Sequence, residues 1–269
     1  MKRYLACFLA LILLLGCACA EEPEYGFFLN GTKEARELRS DLQSRYLVSV
    51  RIGDECLGVP TDGFEVNVYP DVMGFYPAIL SLNARYEELV RQLEEDLSVY
   101  SPYFFYLFFP KGAYERGGIS FMLVNHLMFK EHNVAGMFAP DGNWLRIWLS
   151  ANSYGNWTVH HEMWHAIETK ICREDPDAFS DWSKLNPEGF VYSRDVSLMD
   201  GVNAQRDVTD WFGREYGMYD GREDRATVFE AIVTKDDEWW SSRPQLQKKA
   251  EYLREKIRSH FVYWPFAEE

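Results

Sequence analysis

Two histidines and a glutamate stand at a spacing that can do chemistry: His161-Glu162-Met163-Trp164-His165. In a helix, residues four apart lie about one turn apart on the same face, so both imidazoles can reach a single divalent ion. Imidazole nitrogens bind Zn²⁺ at about 2 Å, and a bound water then titrates near about pH 7. Glu162, displaced around the helix from the two histidines, is placed to take that water's proton. The spacing therefore predicts His161 and His165 as ligands of one Zn²⁺ per chain and Glu162 as general base.

A catalytic zinc keeps three protein ligands and one open position. An extended motif HExxHxxGxxH would need Gly at 168 and His at 171, where Glu168 and Ile171 stand. His160 has the wrong offset and reads as structural. His126 and His132 fall in a strand and a turn, and His260 in the terminal helix. A carboxylate on a helix packed across from the histidines is the better third ligand. In Glu223-Asp224-Arg225-Ala226-Thr227-Val228-Phe229-Glu230, the residues Glu223, Ala226, Thr227 and Glu230 share one helical face. An acid among small residues suits close helix approach, whereas Asp224 and Arg225 read as a solvated pair. Glu168 would leave no second element closing over the site.

The elements that must position these groups follow from periodicity. Strands are expected over 46–52, 63–69 and 144–149, and a strand or strand pair over 119–129. Helices are expected at 83–100, 157–172, 222–234 and 244–261, the last burying Leu246, Ala250, Leu253, Ile257 and Phe261. Asn156 reads as the N-cap of the HExxH helix. Residues 177–203 read as a long ordered loop. The aromatic run between Pro102 and Pro110 reads as core. The order is α+β, with a small mixed sheet packed on the active-site helix and a mainly helical C-terminal half.

The first twenty residues are a separate matter. Lys2 and Arg3, an apolar run from Leu5 to Leu15, and Ala18-Cys19-Ala20 have the order of a secretory signal peptide. Export is expected, with a lipidated Cys17 in a lipobox-like Leu-Leu-Gly-Cys, hence a membrane-anchored lipoprotein, as the alternative. Residues 21–75 then form an N-terminal lobe or extension and 76–269 the catalytic domain. Outside the leader remain Cys56 and Cys172, either one disulfide or two separate thiols. The chain carries 28 Lys and Arg against 42 Asp and Glu, a net charge of −14, which argues against nucleic acid as partner. No membrane-spanning segment is expected after the leader. The sequons at Asn30 and Asn156 are incidental in a bacterial host. Signatures of a nucleophilic Ser or Cys, a P-loop and a dinucleotide fold are absent.

The run His160–His165, followed by Tyr-Gly-Met-Tyr-Asp-Gly-Arg-Glu-Asp-Arg-Ala-Thr-Val-Phe-Glu (residues 216–230), resembles gluzincin metallopeptidases of the anthrax-lethal-factor-like kind. It looks closer still to exported zinc metallopeptidases of bacteria, which also carry a segment like Leu185–Phe190. The resemblance implies a zincin-like fold, a peptide or protein substrate, and Glu223 as third zinc ligand. It further implies that Tyr216, with Tyr219 as its competitor, stabilises the oxyanion of a hydrolysed carbonyl. One departure stands out: the second acid that many gluzincins place four residues after the ligand Glu is here Thr227, leaving Asp224 and Glu230 as candidates to orient a histidine. An exported zincin-fold binding module with a metal site but little peptidase activity is the alternative function.

Overall fold

A computed structural model describes residues 29–70, 76–110, 116–199 and 210–266. The leader, Cys17 and the 20/21 junction lie outside these residues. The chain is α+β. In order it forms α1 (Lys33–Tyr46), β1 (Ser49–Ile52), β2 (Glu65–Asn67), α2 (Tyr76–Leu97) and α3 (Pro102–Tyr106). Then come β3 (Gly118–Val124), β4 (His126–Phe129), β5 (His132–Val134), β6 (Gly136–Asp141) and β7 (Trp144–Ser150). The rest is helical: α4 (Thr158–Glu174), α5 (Gly221–Thr234), α6 (Asp237–Ser241) and α7 (Pro244–His260).

Two sheets form where one was expected. The larger has strand order β1-β3-β7-β6, with β1, β3 and β7 parallel and β6 antiparallel to β7. The smaller has the order β2-β4-β5 and is antiparallel. The apolar run 119–129 is thus a strand pair split between the two sheets, broken at Asn125. Alternation along the strands builds two cores. Phe121, Leu123, Ile147 and Leu149 face the helices, whereas Met122, Val124 and Trp148 face the small sheet with Phe64 and Leu127. Strand β1 belongs to the larger sheet, so residues on both sides of the 75/76 boundary build one layer.

Several boundaries move for identifiable reasons. Tyr46, expected to open a strand, ends α1 instead: its ring is buried 5.2 Å from that of Phe105, and Leu47 takes the left-handed cap at φ 55°. Asn83 does not open α2 but lies inside it, buried, where its Oδ1 accepts from Gly31 N. Phe104, Phe105 and Phe108 of the aromatic run enter the core. Of the expected loop 177–203, residues 200–203 lie outside the described residues, and 177–199 contain short 3₁₀ turns at Trp182–Leu185 and Val196–Met199. The terminal helix buries the expected stripe, with Lys249 added to it. Cys56 and Cys172 are separate free thiols; Cys56 is buried against Leu123 O. No described helix is long and apolar enough to cross a membrane.

Candidate active site

Helix α4 begins directly beyond β7 and runs through the middle of the molecule, with every residue from Thr158 to Glu168 buried. Its N-cap is Trp157, with no side-chain cap; Asn156 is not the cap, and Gly155 N donates to Thr158 Oγ1 instead. Helix α5 packs across it. Asp220 caps α5, accepting from Arg222 N and Glu223 N, and so fixes Glu223 in the first turn.

This crossing brings His161, His165 and Glu223 together. His161 Nε2 lies 2.9 Å and His165 Nε2 3.5 Å from Glu223 Oε2, and the three donor atoms all lie within 4.8 Å of one another. Three ligands about 2 Å from a tetrahedral ion stand about 3.3 Å apart, so two imidazole nitrogens and one carboxylate oxygen fit zinc in both chemistry and spacing. Burial opposes a charge on His161, but hydrogen bonds to Glu223 and Glu230 win and raise its pKa. Burial likewise pushes Glu223 up, yet the two imidazoles hold it well below the ordinary carboxylate range.

These groups form the floor of a cleft of about 510 Å³. Phe129, Val134, Met137, Phe138, Tyr216, Tyr219 and Arg222 line it with them. Glu162 is 6% exposed and faces this cleft, with no hydrogen-bond partner among the described residues. Burial raises its pKa against the pull of the two histidines. The Tyr216 ring stacks on His161 at 5.7 Å, and Tyr216 lines the cleft beside Glu223. Burial and then the Glu223 charge push that phenol well above its ordinary pKa. The Tyr219 ring stands 6.1 Å from that of Tyr216.

Behind His161 stands Glu230, whose Oε2 lies 3.5 Å from Nδ1. Thr227 is not available for that task. Gly217, in the 3₁₀ turn Glu215–Met218, packs so tightly that a Cβ there would meet Thr227 Oγ1 at 2.8 Å, and Thr227 spends its hydroxyl on Asp224 O. Glu230 is held by Arg214 at 2.7 Å, and the guanidinium lies 4.2 Å above the Trp157 ring. Arg214 carries no motif, and only the tertiary structure reveals it.

The expected solvated pair is also corrected: Asp224 and Arg225 are both buried. Asp224 accepts from Lys249, Trp182 Nε1 and Tyr192 Oη, while Arg225 pairs with Glu168. Asp224 therefore faces away from the histidines. His160 turns aside too, its Nδ1 2.8 Å from Tyr100 Oη. His126 sits with Asn152, and His260 with Lys256 O.

No protein-family model matches the chain, and no curated protein does. Among solved structures the chain is similar to a "putative zinc-binding metallo-peptidase" from Bacteroides caccae ATCC 43185. That likeness has a TM-score of 0.48 at 14% identity and covers 86% of this chain and 88% of that one.

Proposed function

We propose that this chain is an exported zinc metalloendopeptidase of the gluzincin, lethal-factor-like type, with a zincin-like catalytic domain. The observation that carries the reading is the convergence of His161 Nε2, His165 Nε2 and Glu223 Oε2 beside a cleft-facing carboxylate with no hydrogen-bond partner among the described residues. His161, His165 and Glu223 would hold one Zn²⁺. Zinc bound there supplies a Lewis acid for the scissile carbonyl and a water acidic enough to be deprotonated at neutral pH.

The chain's own groups do the rest. Glu162 takes the proton of the attacking water and passes it to the leaving amine. Tyr216, stacked on His161 in the cleft, donates its hydroxyl to the oxyanion of the substrate carbonyl. The leader of residues 1–20 directs export.

The test is Glu162→Gln. With unfolded protein as substrate, the variant is expected to keep its zinc and lose about 10²–10⁴-fold in turnover. Full turnover in this variant would reject the assigned base.

A further inference from the structure

Gly136 opens β6, the edge strand of the larger sheet, opposite Leu149 of β7. Its φ is not in the left-handed region, so the backbone does not require glycine there. The space does. A Cβ at residue 136 would lie 2.7 Å from Thr158 Cγ2, 2.8 Å from Glu162 Cγ and 2.9 Å from Glu162 Oε1. Neither backbone can yield easily. Ser150 N donates to Ala135 O at 2.9 Å, pinning the strand to β7, and Thr158 and Glu162 belong to the buried first turns of α4. Of the neighbours, the Glu162 side chain is the one with no hydrogen bond to hold it among the described residues and with the open cleft beside it.

We infer that Gly136 is a positioning residue: its missing side chain is what lets the Glu162 carboxylate lie between the edge strand and α4, aimed into the cleft. This rests on Glu162 being the general base. Any β-carbon at 136 displaces that carboxylate, and a misplacement on the order of 1 Å is enough to cost about 10²-fold in rate. His161 and His165 project from the same helix but are not among the atoms a Cβ at 136 would meet most closely. Metal binding should therefore survive.

The test uses the full chain with Gly136→Ala alone and combined with Thr158→Ser, which removes the clashing Cγ2 but keeps the hydroxyl that caps Gly155 N. The expected result is a fall in kcat of about 10–100-fold with KM within about twofold. Zinc content should match the wild type in both variants. A crystal structure of either variant should show Glu162 Oε1 moved from its present place. If Gly136→Ala fails to fold, the double variant is read in its place. Wild-type kcat in the double variant would overturn the inference, because the damage would then lie in strand–helix packing. So would an unmoved Glu162, or failure of both variants to fold. Full turnover in Glu162→Gln would reject the base itself, whereas displacement of Glu162 in the Gly136→Ala structure would still stand. The two failures are therefore distinguishable.

Discussion

Arg214 and Glu230 form a buried ion pair 2.7 Å long on the far side of His161 from Glu223. The pair links the segment before the 3₁₀ turn to α5, and Glu230 faces His161 Nδ1 while Nε2 faces the Glu223 carboxylate. A carboxylate in that position fixes the ring's orientation and tautomer.

Replacing Glu230 with Gln should therefore weaken zinc binding by about 10–100-fold with little change in secondary structure. Competition against a chromogenic chelator, alongside circular dichroism, measures both. Unchanged affinity would show that His161 is oriented by something else.

The two site helices are tied by a second pair. Arg225 Nη2 meets Glu168 Oε1 at 2.6 Å and its Nε meets Oε2 at 3.1 Å, while Trp164 Nε1 donates to the same carboxylate at 2.7 Å. Removing one partner leaves an uncompensated buried charge, a cost of about 3–5 kcal/mol. Glu168→Gln is expected to lower the melting temperature by roughly 10 °C. Calorimetry decides it, and a shift of a degree or less would mean the pair does not hold α4 to α5.

Asp96 supplies a pH dependence away from the metal site. Burial raises its pKa from 3.8 to about 6, against the lowering effect of the hydrogen bond from Tyr154. The folded state thus holds a proton that the unfolded state has released, and stability falls as pH rises between these values. Asp96→Asn keeps an acceptor for Tyr154 and removes the buried charge. It should raise stability by about 1 kcal/mol at pH 7, after allowance for solvent screening, and make no difference near pH 4. Urea melts at the two pH values check the sign.

The pairing of His161 with His165 was legible because one helix sets it, and Glu223 because an acid among small residues stood on an inward face. Asp224 and Arg225 were misread as solvated for a physical reason: their partners, Lys249 and Glu168, lie 25 and 57 residues away and only the fold delivers them. Glu230 was legible as one of two acids that could orient a histidine, but Arg214 is hidden in the same way as those partners, since neither spacing nor composition marks the ion pair it makes with Glu230. The split of 119–129 into two sheets is likewise a tertiary matter. A continuous apolar run says that both faces are covered, not by what.

The most direct measurement is zinc per chain, by elemental analysis of the purified protein after dialysis against a weak chelator. The value expected is about one for the wild type and for Glu162→Gln, and near zero for His165→Ala and Glu223→Ala. A wild-type value near zero that added Zn²⁺ does not restore would contradict the metallopeptidase reading outright.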